Sequence, residues 1–335
     1  MVYVIYALLS AVFSALTAIL SKVGLKNISS HSAVFFRTAV VLVFCWVIVF
    51  ASGAHAQISD ISGQSILFLT LSGAATGCSW LCYFKALSIG DVNKVAAVDK
   101  SSVTLTMIIG MSFLNESITA FKIIGLSILT AGTYLMLEKK DVRLSKQKNS
   151  WFLFALLSAV FASLTSVLAK IGLQNIDSNL GTAFRTAVVL VFAGIMVLIT
   201  SAKGKKAKAS GEGAAISPNV GDESAKLPLD TDGETAKLSR DIGNEVSPLQ
   251  KRGFVGRMTK RNSLFIFLSG IATGLAWLCY FRALSIGEAS VVAPLDKLGV
   301  VFTVLLSWIV LKERVSPKAV LGLILLAAGG IMAVF

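Results

Sequence analysis

One stretch of sequence occurs twice in this chain of 335 residues and decides its fold: ALLSAVFSALTAILSKVGLKNISSHSAVFFRTAVVLVFC at residues 7–45 and ALLSAVFASLTSVLAKIGLQNIDSNLGTAFRTAVVLVFA at residues 155–193. The two stretches share 25 identities in 39 positions, at an offset of 148 residues. A second repeated pair, SGAATGCSWLCYFKALSIG from residue 72 and SGIATGLAWLCYFRALSIG from residue 269, has an offset of 197. The chain is therefore a tandem duplication, with 49 residues inserted in the second copy.

Each copy contains five apolar segments whose lengths suit membrane helices, since one span needs about 20 apolar residues. Hydrophobic residues make up 55% of the chain, charged residues 15%, and the mean hydropathy is +0.78. This composition excludes a disordered chain and argues against a soluble enzyme. The sequence predicts an all-α integral membrane protein with ten transmembrane helices in two five-helix repeats. The predicted spans are 2–25, 32–51, 65–87, 92–114, 119–137, 151–173, 179–200, 263–284, 289–311 and 317–335.

The predicted domains are two five-helix repeats, 1–138 and 151–335, joined by a basic linker at 139–150. The second repeat is interrupted at 201–261 by a segment with twelve Lys or Arg, eight acids and three of the five prolines. Such a composition predicts a disordered hydrophilic loop. Its basic ends could hold it against anionic lipid head groups, or it could be a solvated tether without a specific partner.

The net charge of +13 is explained by where the basic residues lie. Of the 31 Lys and Arg residues, 24 fall on one side of the predicted membrane, three on the other and four inside spans. The positive-inside rule then places the loop 201–261 in the cytoplasm and both termini outside. Five spans per copy make the repeats inverted relative to each other, as in many secondary transporters. Nucleic acid is not needed as a partner to explain the basic residues.

Ionisable residues inside the predicted spans are the main functional candidates, because charge within a membrane is costly. They are Arg37, Asp99, Lys100, Arg185, Asp296 and Lys297. Four basic groups against two acids favour a zwitterionic or anionic solute. We interpret each aspartate as a proton-accepting or solute-pairing group at the repeat interface, with a structural interhelical ion pair as the alternative. Each arginine could bind a carboxylate or phosphate, or could extend to the lipid head groups.

The third span of each copy carries aromatic side chains with polar tips, which suit the wall of a cavity for an organic solute. They are Trp80, Tyr83, Trp277 and Tyr280. An interfacial aromatic belt is the alternative interpretation. Two Gly-xxx-Gly pairs precede these residues, and this spacing lets membrane helices pack closely. The pairs are Gly73 with Gly77 and Gly270 with Gly274.

The repeated unit resembles the EamA domain of the drug/metabolite transporter superfamily. The matching features are Lys22 and Lys170, Arg37 and Arg185, the SGxATGxxWLCYFxALSIG block, the DK-containing fourth span ending in LNE or LKE, and the Gly-rich fifth span. The resemblance covers the chain except for 201–261, and it implies transport of a small organic solute such as an amino acid. Members are usually drawn with cytoplasmic termini, whereas the charge distribution here predicts external termini.

The sequence therefore predicts a secondary transporter of a small, amino-acid-like, zwitterionic or anionic metabolite, working by alternating access in the plasma (inner) membrane. A non-transporting scaffold or sensor acting through its cytoplasmic loop is the alternative. Enzyme activity is not expected, because no residues have the spacing of a nucleophile–base pair or a metal site. Neither a cofactor nor a metal is expected. The expected partners are the solute, protons as a coupling ion and the lipid bilayer, and the sequence is compatible with a homodimer.

Overall fold

The computed structural model describes residues 1–24, 30–89, 95, 98–99, 101–135, 150–209, 260–311 and 317–335. The secondary structure of these residues is helical, and no strand occurs among them. The helices are α1 (Val2–Gly24), α2 (Ser30–Ala51), α3 (Gly63–Ile89), α4 (Ser102–Phe113), α5 (Ala120–Leu135), α6 (Ser150–Gly172), α7 (Ser178–Ala209), α8 (Lys260–Ile286), α9 (Ala289–Lys297), α10 (Gly299–Leu311) and α11 (Pro317–Met332). A short 3-10 helix, Ala54–Asp60, joins α2 to α3.

Seven helical segments in the described part of the chain are long and apolar enough to cross a membrane. They are α1, α2, α3, α6, α7, α8 and the segment Ala289–Ile309, which combines α9 with most of α10. Three shorter apolar helices, α4, α5 and α11, accompany them. Large apolar side chains such as Val43, Phe113 and Trp308 are exposed, as expected for groups that face lipid. The predicted all-helical membrane class is thus confirmed.

Most described helix ends agree with the predicted spans to within a few residues. The exceptions lie beside the predicted loop 201–261 and in the fourth span of the first copy, where α4 begins at Ser102. Helix α7 continues to Ala209, and α8 already begins at Lys260, so both edges of the predicted disordered segment are helical. The remainder of that segment, 210–259, lies outside the described residues, as do Lys100 and most of the predicted linker.

The predicted fourth span of the second copy consists of two helices, α9 and α10, that meet at Leu298. Pro294 lies inside α9, and because proline has no N–H, the carbonyl of Ser290 lacks its usual helical donor. A Cβ atom on Gly299 would lie 2.9 Å from the carbonyl oxygen of Ala11, so α10 begins in close contact with α1. The break leaves Asp296 near the end of a short helix in the protein interior.

Helices of the two copies pack on each other in reciprocal pairs. Helix α1 of the first copy packs on α8 of the second, and α6, which corresponds to α1, packs on α3, which corresponds to α8. Helix α2 packs on its own counterpart α7, and α5 packs on its counterpart α11. This reciprocity brings residues that are equivalent in sequence to one shared interface.

Candidate functional site

A cavity of about 410 Å³ lies at this interface. Its walls come from α1, α2 and α3 of the first copy and from α6, α7, α8 and α9 of the second. This volume falls in the range of about 300–1,000 Å³ that is usual for small-molecule sites. The polar and aromatic lining residues are Ser10, Ser14, Thr17, Arg37, Thr76, Ser79, Trp80, Thr165, Arg185, Thr273, Trp277, Tyr280, Phe281 and Asp296.

Six of the ten predicted site residues line this cavity. They are Arg37, Trp80, Arg185, Trp277, Tyr280 and Asp296. Tyr83, Asp99 and Lys297 are described but do not line it, and Tyr83 packs instead against a small apolar cluster around Ala86. Lys100 lies outside the described residues.

Arg185 is the most enclosed charged group in the cavity wall, with only 2% of its surface exposed. Its Nε donates a hydrogen bond of 2.9 Å to Ser72 Oγ, and Nη2 donates to Thr76 Oγ1. The guanidinium carbon lies 4.4 Å from the ring centre of Phe281 and 5.5 Å from that of Trp277, distances at which cation–π attraction acts. Nη1 has no hydrogen-bond partner among the described residues. The side chain therefore points inward and not toward lipid head groups.

Arg37, the counterpart of Arg185, is less enclosed. Its Nη1 donates a hydrogen bond of 3.2 Å to Ser21 Oγ, and that hydroxyl lies 2.9 Å from Ser269 Oγ. Ser269 corresponds in sequence to Ser72. Each arginine is thus held by the equivalent serine of the opposite copy, directly for Arg185 and through one hydroxyl for Arg37.

The Gly-xxx-Gly pairs bring the arginine-bearing helices close to α3 and α8. A Cβ atom on Gly73 would lie 3.0 Å from the carbonyl oxygen of Arg185. A Cβ atom on Gly270 would lie 3.3 Å from the carbonyl oxygen of Arg37. A side chain at either glycine would push the backbones apart. The two glycines therefore set the distance between each arginine-bearing helix and the helix packed against it.

The two aspartates make equivalent hydrogen bonds across the repeat interface. Ser10 Oγ donates to Asp296 Oδ1 at 2.6 Å, and Ser158 Oγ, its counterpart, donates to Asp99 Oδ1 at 2.8 Å. Both aspartates thus lie between the two copies, and each accepts a hydrogen bond from a serine hydroxyl. Asp296 lines the cavity and Asp99 does not, so the surroundings of the two aspartates differ.

Hydroxyl groups supply much of the cavity wall, and the sequence interpretation missed them. The Oγ1 atoms of Thr76 and Thr165 lie 3.2 Å apart, and Thr273 Oγ1 donates a hydrogen bond of 3.3 Å to Thr17 Oγ1. Their signal was present in the sequence, because Thr17 recurs as Thr165 and Thr76 recurs as Thr273 at the two repeat offsets. Hydroxyls spaced by one helical turn line one face, as Ser10, Ser14 and Thr17 do on α1.

A second polar cluster surrounds Glu116, which follows α4 and is 7% exposed. Its Oε1 accepts a hydrogen bond of 2.7 Å from Lys170 Nζ, and Oε2 accepts one of 2.8 Å from the N–H of Ser290. Burial acts to raise the pKa of Glu116, but the hydrogen bonds from Lys170 and Ser290 outweigh it and hold the pKa below its ordinary value. The carboxyl is therefore ionised at neutral pH.

Metal binding has no support in the described ranges, where no group of three or more His, Cys, Asp or Glu side chains is placed to hold an ion. The four cysteines are free and lie in apolar helices. The cavity wall combines cationic, acidic, hydroxyl and aromatic groups.

Helices of membrane length pack around a polar cavity, the architecture of an integral membrane protein. The sequence profile of the EamA-like transporter family matches residues 1–138 and 247–335, which is more than half of the chain. The chain therefore belongs to the EamA-like transporter family, as its resemblance to the EamA domain indicated.

A relative from Sinorhizobium sp, described as "Uncharacterized transporter in cobO 3'region", is 45% identical over 131 residues. The aligned region covers 39% of this chain and 93% of the relative, which is thus about as long as one repeat. A solved crystal structure, described only as that of a protein, has a TM-score of 0.70 over 99% of this chain and 98% of its own, at 12% identity. That likeness shows the fold alone. Family and relative together identify a membrane transporter and not an enzyme.

Proposed function

We propose that this chain is a secondary transporter that moves a small, amino-acid-like metabolite, zwitterionic or anionic, by alternating access across the plasma (inner) membrane. The observation that carries the proposal is the buried guanidinium of Arg185 in the cavity wall, with Nη1 left without a described partner. A buried charged donor without a partner is costly, and a carboxylate or phosphate on a solute would satisfy it.

The other groups of the cavity suit a solute that also carries hydrogen-bonding or cationic parts. Asp296 lines the same cavity, so it can pair with an ammonium group or accept a coupling proton. Trp80 and Trp277 offer apolar faces for the body of the solute. Arg37 supplies a second cation, and two arginines against one acid favour a solute with at least one negative group.

We also propose that the transporter has ten spans in two inverted five-helix repeats. The reciprocal packing of α1 on α8 and α6 on α3 supports two equivalent units, and so does a relative about as long as one repeat. Val95, Val98 and Asp99 are helical just before α4, so the fourth span of the first copy contains more helix than α4 alone. The 24-to-three distribution of basic residues favours external termini and a cytoplasmic loop 201–261.

The experiment first compares metabolites inside and outside cells with and without the protein, and then measures flux of the best candidate in proteoliposomes. Arg185→Gln is the test variant, and Arg282→Gln is its control, because Arg282 is an exposed arginine on α8. We expect Arg185→Gln to lower flux at least about tenfold, since hydrogen bonds to charged groups contribute ~1.5–3 kcal/mol. The control should keep wild-type flux. Equal flux in wild type and Arg185→Gln would contradict the proposal.

A further inference from the structure

The cluster around Glu116 joins the two copies at one end of the cavity. Glu116 belongs to the connection between α4 and α5 of the first copy, whereas its partners belong to the second copy. The N–H groups of Ala289 and Ser290 donate to its two oxygens at 2.6 and 2.8 Å. These are among the first N–H groups of α9, which have no partner inside their own helix. A carboxylate at this helix end satisfies them and interacts favourably with the helix dipole.

Lys170, near the end of α6, also binds the carboxylate of Glu116. Its Nζ donates to Glu116 Oε1 at 2.7 Å and to the carbonyl oxygen of Gly287 at 2.8 Å. One ammonium group thus links the end of α6, the residue that follows α8 and the connection after α4.

A second ion pair lies beside the first. Lys122, near the start of α5 and 3% exposed, donates to Glu288, the residue before α9. Ser117 Oγ donates to Glu288 as well, at 3.1 Å. Residues of the first copy therefore bind the start of α9 at its first N–H groups and also at Glu288. We call Glu116, Lys122, Lys170 and Glu288 the clasp.

The clasp lies just beyond the cavity along two of its helices. Lys170 follows Ser166, a partner of the cavity residue Tyr280, by four residues, which is about 6 Å along a helix. Ser290 precedes the cavity residue Asp296 by six residues, or about 9 Å.

Buried apolar residues connect the cavity wall to the elements that carry the clasp. The largest buried apolar cluster of the described chain contains Leu69, Leu173, Phe281, Leu284 and Val292. Phe281 also lines the cavity. One continuous apolar cluster thus extends from the cavity wall to the helix ends that carry the clasp. We call the face that carries residues 114–119 and 287–288 the clasp face.

The duplicated sequence makes this face different from the opposite one. At the offset of 197 residues, Glu116 corresponds to Glu313, but Lys122 corresponds to Ala319 and Ser117 to Arg314. The second copy therefore lacks the lysine of the second ion pair.

We propose that the clasp holds the cavity closed at this face and must break before a solute can pass there. The inference rests on the cavity being the solute site, but its test needs no solute. A failed clasp test would leave the flux experiment above unaffected, so the two proposals can fail separately.

The test measures how fast a cavity cysteine reacts with a membrane-impermeant maleimide from each face. Ala162→Cys lines the cavity and is introduced after Cys45, Cys78, Cys82 and Cys279 are replaced by alanine. Labelling is compared in right-side-out spheroplasts and inside-out vesicles. A separate Ile58→Cys protein, with its cysteine in the exposed 3-10 helix beside the α6–α7 connection, shows which preparation presents the clasp face.

We expect Glu116→Gln and Lys122→Met each to speed labelling from the clasp face, by about tenfold for Glu116→Gln, which loses several charge-assisted hydrogen bonds. Labelling from the opposite face should not rise. Arg282→Met, an exposed cation at the same end of α8, should label as the parent does. Unchanged labelling from the clasp face overturns the proposal. Faster labelling from both faces also overturns it, because that result means general loosening of the fold.

Discussion

Asp296 and Asp99 are equivalent residues with different surroundings, and they allow a matched test of proton coupling. Each accepts a hydrogen bond from the equivalent serine, but only Asp296 lines the cavity. We expect Asp296→Asn to abolish the pH dependence of flux, because an amide cannot take up the proton. Asp99→Asn should keep that dependence.

Flux through proteoliposomes over a series of pH values measures this difference. The two variants remove the same charge at matching positions, so any general effect of losing a buried carboxylate is shared between them. If Asp99→Asn loses the pH dependence and Asp296→Asn keeps it, the assignment of the coupling acid is wrong.

Sequence reasoning located part of the site for a clear physical reason. Arg37, Arg185 and Asp296 are conspicuous because charge inside a span is costly. The hydroxyls of Thr17 and Thr273 are not, since serine and threonine can bond to their own helix carbonyls without further partners. Glu116 ends the LNE motif of the fourth span, but only the fold shows that its partners are Lys170 and the start of α9.

Helices α5 and α11 contact each other through glycines, and this contact can be tested. A Cβ atom on Gly329 would lie 2.5 Å from the backbone nitrogen of Leu129 and 2.6 Å from the carbonyl oxygen of Gly125. These are backbone atoms, which cannot rotate away. We expect Gly329→Ala to lower the free energy of unfolding by about 1–3 kcal/mol, the usual cost of overpacking.

The control for this change is Gly194→Ala, also inside a helix. A Cβ atom there would lie 3.4 Å from Phe35 Cε2, which is an ordinary contact with a side chain. Because alanine is a better helix former than glycine, the control should be neutral or stabilising by up to ~1 kcal/mol. Unfolding in detergent, followed by the loss of helical circular dichroism, measures both. Equal stability of the two variants would contradict the close packing of α5 on α11.

The helices themselves were largely predictable, because hydropathy and length determine which segments can lie in lipid. The break in the fourth span of the second copy is less apparent from hydropathy: Pro294 lies inside α9, and the helix ends at Lys297. The continuation of α7 to Ala209 was not predicted. Hydropathy falls after Thr200 because lysines begin there, but lysine and alanine both favour helix, so the helix runs on.

Replacing the long insertion distinguishes between two functions, a transporter and a scaffold that acts through its loop. We expect replacement of 210–259 by a short Gly/Ser linker to leave flux in proteoliposomes within about twofold of wild type, because helices in the described part of the chain supply the cavity wall. The control replaces the segment with a shuffled sequence of the same length and composition. Loss of flux in the linker variant but not in the shuffled variant would show that transport needs the length of the insertion.

The reciprocal packing of the two copies has an evolutionary consequence. One copy supplies only part of the cavity wall, so it would need a second copy to complete that wall. Two identical separate chains must mutate together, and every change would appear on both halves of the assembly. Fusion into one polypeptide removes that constraint, so Asp296 and Asp99, or Lys122 and Ala319, are free to diverge. Because the two copies are covalently linked, selection can change equivalent positions of this transporter independently.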